Sequence, residues 1–120
     1  MKKTLVIGAS EKPERYSNKA IRALLLHNYP VVALGLKKGS IEGVSFHTEK
    51  EQFEDIDTVT LYIGPQNQPG YYSYVIGLKP RRVIFNPGTE NPEFIELLKS
   101  AGIYPEIACT LILLATGQYD

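Results

Sequence analysis

VIGASEKPERYSNKAIRALL, residues 6–25, starts as a short run of branched apolar residues and finishes with Ala20, Ile21, Leu24 and Leu25 at helical spacing. A buried strand, a charged loop and an amphipathic helix are therefore expected in that order, with Gly8 permitting a tight turn between them. A strand-to-helix turn at the start of an alternating chain is where nucleotide phosphates commonly sit. Ser17 or Asn18 is expected to cap the helix, which should end before Pro30.

Outward from that stretch the alternation continues. Thr4–Ile7, Val31–Leu36, Val59–Ile63 and Arg82–Phe85 read as buried strands, and Ile103–Ile107, interrupted by Pro105, as an edge strand. Helices are expected from Asn67 through Leu78, after the Asn91-Pro92-Glu93 cap as far as Gly102, and from Thr110 through Ala115, with a short turn over Thr48–Phe53. The pattern predicts a single α/β domain over residues 1–120. Its expected form is a Rossmann-like three-layer sandwich with a parallel sheet of about five strands in the order 3-2-1-4-5. Ligands would then lie against the loops that follow the strands, residues 8–17, 35–39, 64–68 and 86–91.

Composition sets the outer limits. The 120 residues are 43% hydrophobic, enough for one core, with a formal net charge of zero. No overall field draws the chain to nucleic acid or an anionic membrane, so an anionic ligand must be held by local charge. No apolar run approaches the roughly 20 residues of a membrane span, and Met-Lys-Lys runs straight into a strand, so a cytoplasmic protein is expected. The lone Cys109 excludes an intrachain disulfide and any cysteine-rich metal site.

The opening loop lacks the full Gly-x-Gly-x-x-Gly fingerprint, because position 10 is Ser and position 13 is Pro. It carries Lys12, Arg15 and Lys19 with Ser10, Ser17 and Asn18, a set suited to a diphosphate at a helix N-terminus. After the second strand, where an acid would bind the ribose hydroxyls of NAD, the chain has Gly35-Leu36-Lys37-Lys38. Two lysines there favour a ribose with an extra phosphate, as in coenzyme A or NADP. Solvated lysines on a surface turn are the competing explanation.

The residues Val6-Ile7-Gly8-Ala9-Ser10 and Lys12 through Ala20 resemble the small CoA-binding proteins related to the CoA-binding domain of the succinyl-CoA synthetase alpha subunit. The likeness continues through Tyr29-Pro30-Val31-Val32, Ile41-Glu42-Gly43-Val44, Ile56-Asp57-Thr58-Val59, Asn86-Pro87-Gly88-Thr89 and Ala101-Gly102-Ile103. It implies a Rossmann-like domain that binds the ADP part of CoA across the strand ends. The expected contacts are Gly8, Ala9, Ser10, Lys12, Arg15, Tyr16, Ser17 and Lys19 in the first loop and Gly35, Leu36, Lys37 and Lys38 in the second. Tyr62, Ile63 and Gly64 are expected to follow in the third, and Asn86, Pro87, Gly88 and Thr89 in the fourth. The family usually has Asn-Pro where this chain has Gly35-Leu36.

No catalytic or metal-binding constellation is legible. His27 and His47 have no sequence partner arranged for nucleophilic or metal chemistry, and Cys109 is expected to be a small buried residue. The reading is a non-catalytic module for CoA or acyl-CoA that acts as carrier, sensor or regulatory partner. The alternative is an NAD(P)-binding redox sensor or small enzyme. No nucleic-acid or membrane partner is expected.

Overall fold

The computed structural model describes residues 2–120. Its strands are β1 (Lys3–Ala9), β2 (Val31–Gly35), β3 (Gly39–Ile41), β4 (Val44–Phe46), β5 (Ile56–Leu61), β6 (Arg82–Phe85) and β7 (Tyr104–Ile107). Its helices are α1 (Tyr16–Leu26), α2 (Tyr72–Leu78), α3 (Pro92–Ser100) and α4 (Thr110–Ala115). Five strands form one parallel sheet in the order β2-β1-β5-β6-β7, and β3 and β4 form a separate antiparallel hairpin.

Alternation along the strands divides the core between two faces. Leu5 and Ile7 join Val59, Leu61, Val83 and Phe85 under α2 and α3, which contribute Val75, Phe94 and Leu98. Val6, Ala33 and Ile84 face the other way, under Ile21 and Leu24 of α1 and Leu114 of α4. The expected three-layer Rossmann-like architecture is therefore present. No helix among the described residues is long and apolar enough to cross a membrane.

Strand order departs from expectation. Numbered along the five-strand sheet, it is 2-1-3-4-5 rather than 3-2-1-4-5. The segment after β2 has no apolar stripe with which to build a crossover helix on that flank. It folds instead into the β3–β4 hairpin, and His47 bridges to Leu34, so the place beside β2 is taken. β5, buried along nearly its whole length, pairs with β1 on the other side.

Three local expectations also need correction. Arg15, not Ser17 or Asn18, is the N-cap of α1, and it makes no side-chain cap. Asn18 is occupied elsewhere: its amide donates to the Ser10 carbonyl at 2.9 Å and its oxygen accepts from Arg22 at 2.7 Å. The segment expected to be helical from Asn67 begins as two 3₁₀ turns, 65–67 and 69–71, each opened by a proline, and becomes α-helical only at Tyr72. Thr48–Phe53 forms no helical turn. By contrast α3 is capped as read, with Asn91 Oδ1 accepting from the Phe94 amide at 3.1 Å.

Asp57 of β5 gives a pH signature at the amino end of the sheet. Burial pushes its carboxyl up, but hydrogen bonds from Arg81 and Thr58, with the Arg81 charge, outweigh that and hold it below the usual carboxylate range. A depressed folded-state value stabilises the fold above the unfolded pKa and is lost as pH falls through the folded one. Asp57→Asn should cost up to about 1 kcal/mol near neutral pH, because Arg81 is half exposed, and almost nothing once acid has protonated the wild-type carboxyl. Urea unfolding of both proteins at the two pH values reads the difference. A cost that stays constant with pH would count against the ion pair.

Candidate functional site

All five strands of a parallel sheet end on the same side, and their exit loops here surround a cavity of about 1090 Å³. The strand order sets the loops in a row, from residues 36–38 after β2 to residues 109–112 after β7. Four strand intervals of ~4.8 Å make that row about 19 Å long.

The first loop is built to stay open. Gly8 has φ +104°, and a Cβ there would lie 2.7 Å from the Tyr62 carbonyl oxygen, so no larger residue fits where β1 and β5 exit together. Ser10 Oγ accepts from the Lys12 amide at 3.2 Å, and the Asn18 bond to Ser10 ties the loop to α1. Because α1 has neither a side-chain cap nor an acid in its first turn, its leading N–H groups lack the usual anionic partner. Lys12, Arg15, Tyr16 and Ser17 line the cavity beside this helix end.

Most residues expected to form a site are brought together. Gly8 to Ser10, Lys12, Arg15 to Ser17, Leu36 to Lys38, Tyr62 to Gly64 and Asn86 to Thr89 all border the cavity. Lys19 does not; its ammonium lies 5.0 Å from the Tyr16 ring centroid. Gly35 is buried below the rim, where a Cβ would meet the Ala9 carbonyl oxygen at 2.7 Å. Its role is to let β1 and β2 approach.

Five lining residues escaped the sequence reading: Glu11, Phe46, Cys109, Leu111 and Ile112. The Glu11 carboxylate accepts from the Ser40 amide at 2.9 Å and so fastens the first loop to the β3–β4 hairpin. Phe46 arrives on that hairpin, whose strands are too short to carry a periodic signal. Cys109, expected to be buried, is half-buried and lines the cavity together with Leu111 and Ile112 of α4, the latter 61% exposed.

The loop after β6 is rigid for an identifiable reason. Asn86 donates to Thr60 Oγ1 at 2.6 Å and to the Leu61 carbonyl at 2.8 Å, and accepts from the Thr110 amide at 2.9 Å. The Thr89 hydroxyl donates to the Asn86 carbonyl, and Gln68 bridges the Ile63 and Thr89 carbonyls. Asn86 and Thr89 thus hold the wall in shape and have their side-chain donors turned inward.

Tyr62 is different. Its hydroxyl is buried near the Thr60 and Thr110 hydroxyls, which are bonded to each other, and reaches hydrogen-bond geometry with neither; burial pushes its pKa above the ordinary value. An unpaired buried donor is unfavourable, so Tyr62→Phe should raise stability by about 1 kcal/mol in thermal or urea unfolding. A loss of that size would mean that the hydroxyl has a partner in solution.

Residues 2–115 match the family described as the CoA binding domain. The chain belongs to the CoA binding domain family. A crystal structure of an uncharacterized protein is 48% identical to this CoA binding domain, with a TM-score of 0.95 and 98% of each chain covered. A hypothetical protein from Pyrococcus horikoshii OT3 is 26% identical, with a TM-score of 0.87 over 99% of this chain and 84% of its own. At 14% identity, the dinucleotide-forming acetyl-coenzyme A synthetase 1 of Ca. Korarchaeum cryptofilum, solved with phosphate and ADP, shares the fold alone; its TM-score is 0.72, over 90% of this chain and 25% of that one. No curated protein is a significant match to this CoA binding domain.

Among the described residues, no group of three or more His, Cys, Asp or Glu side chains could hold a metal ion. Neither histidine lines the cavity: His27 Nδ1 lies 2.8 Å from the Ala23 carbonyl, and His47 sits on the outer side of β2.

Proposed function

We propose that the cavity holds coenzyme A and that the protein is a non-catalytic carrier, sensor or regulatory module for it. The observation that carries this reading is the meeting of Lys12, Arg15 and the uncapped N-terminus of α1 on one wall, a charge arrangement suited to a diphosphate. Lys37 and Lys38, one strand position away, would receive the phosphate on the adenosine ribose. The pantetheine arm would then run along the loops after β5 and β6. The lining offers no pair of groups arranged as nucleophile and base, which favours binding over chemistry. Family membership supports the same ligand class.

Calorimetric titration with CoA, dephospho-CoA, NADP and NAD tests the assignment. CoA should bind about tenfold or more tighter than dephospho-CoA, since a partly buried charge-assisted contact is worth about 1.5–3 kcal/mol and a loose surface pair about 0–1. The gap should narrow as salt rises and close in the Lys37→Ala, Lys38→Ala variant. NAD, which has no extra phosphate, should be weakest. Equal affinity for CoA and dephospho-CoA would remove the lysines from the site, and a preference for either nicotinamide nucleotide would replace the ligand.

A further inference from the structure

The cavity wall changes character along the row of loops. The loops after β2 and β1 contribute five charged side chains, Glu11, Lys12, Arg15, Lys37 and Lys38, whereas those after β5, β6 and β7 contribute none. Of the polar side chains in that uncharged half, Asn86 and Thr89 are hydrogen-bonded inward and the Tyr62 hydroxyl is buried. At its far end stand Leu111 and Ile112 on the first turn of α4. The core-facing residues of that helix are Thr110 and Leu114, and neither Leu111 nor Ile112 belongs to either hydrophobic cluster. The fold does not use them, yet both line the cavity.

Length connects the two ends. From the β1 loop to the β7 loop are three strand intervals, about 14 Å. The arm of CoA from diphosphate to sulfur runs through about twelve bonds, the reach of about four extended residues, which is also ~14 Å. A diphosphate held at α1 therefore delivers the sulfur to the β7 loop. We infer that Leu111 and Ile112 form a subsite for the acyl chain of a CoA thioester, so that acyl-CoA is bound in preference to free CoA. The inference rests on the ligand reading above; an unacylated thiol would leave these two side chains facing water.

The test is a calorimetric series of free CoA and thioesters with saturated chains of two, four and six carbons. Affinity should rise about two- to fourfold for each added methylene while the chain still covers Leu111 and Ile112. In the Leu111→Ser, Ile112→Ser variant, checked for normal thermal unfolding, free CoA should bind within about twofold of wild type and the rise with chain length should disappear. The single Ile112→Ser variant, at an exposed position, should halve the rise if the double variant folds poorly. Tight CoA binding with affinity flat or falling along the series would overturn the acyl subsite alone. An equal rise in wild type and variant would also overturn it. Failure of CoA itself to bind would overturn the ligand reading and this inference with it.

Discussion

The Lys12→Ala, Arg15→Ala double variant should bind coenzyme A about a hundredfold more weakly than wild type and unfold at the same temperature. Both side chains are exposed, and among the described residues neither is in an ion pair, so their removal leaves no buried charge behind. Charge-assisted hydrogen bonds contribute about 1.5–3 kcal/mol each; exposure sets the lower end, and two such losses approach 3 kcal/mol, or about a hundredfold. Lys19→Ala is the matched control. Its ammonium is directed over the Tyr16 ring, outside the cavity, and its loss should change affinity less than threefold. Calorimetry at two salt concentrations would check both variants. A loss below fivefold in the double variant would move the diphosphate away from the first loop.

At the opposite end of the sheet, Arg82→Met should destabilise the fold by about 3–5 kcal/mol with little change in ligand affinity. The Arg82 side chain is 4% exposed and is held on three sides: Nε donates to Thr58 Oγ1 at 2.9 Å, Nη1 meets Glu106 at 2.8 Å, and Nη2 donates to the Tyr119 carbonyl. The guanidinium also lies 4.5 Å from the Tyr119 ring centroid. Methionine fills much of the volume but leaves the Glu106 carboxylate without its cation and the buried Tyr119 carbonyl without a donor. Breaking such a pair from one side costs far more than the pair contributes as a unit. Urea unfolding would read the loss directly. A change under 1 kcal/mol would show that the C-terminal residues and Glu106 relax into water at little cost.

The parts of this fold that were legible in the sequence are those where local chemistry and tertiary packing agree. Asn91, Pro92 and Glu93 announce α3, and the structure uses Asn91 as the cap. The β6 residues Arg82–Phe85, all buried, are legible at their observed bounds because a short apolar run between breakers has few alternatives. The hairpin was illegible for a physical reason. Its turn needs positive φ at two residues, and Glu42 at +44° precedes Gly43 at +88°, where Asn or Asp is the usual signal. Strand order is not legible because right-handed crossovers permit the third strand either beside β2 or on the free flank of β1. Only the space beside β2, taken by His47, decides it. In the cavity, the glycines and lysines of the strand exits were readable as a class of residues at a class of turn. Leu111 and Ile112 were not, since an apolar pair on a short helix reads as core until the backbone shows which way it faces.

Pro105 has an effect on self-association. The amides of Tyr104 and Ala108 point toward β6, so by alternation that of residue 105 would point away from the sheet, and proline has none to offer. At the opposite margin the outward Gly35 amide is already bonded to His47. Each border of the sheet has thus lost a donor that a foreign strand would need, even though Tyr104 and Ile107 leave the β7 side greasy, at 59% and 64% exposure. Crowded copies of this domain, or one joined to others in a longer polypeptide, are protected from stitching their sheets together through the backbone.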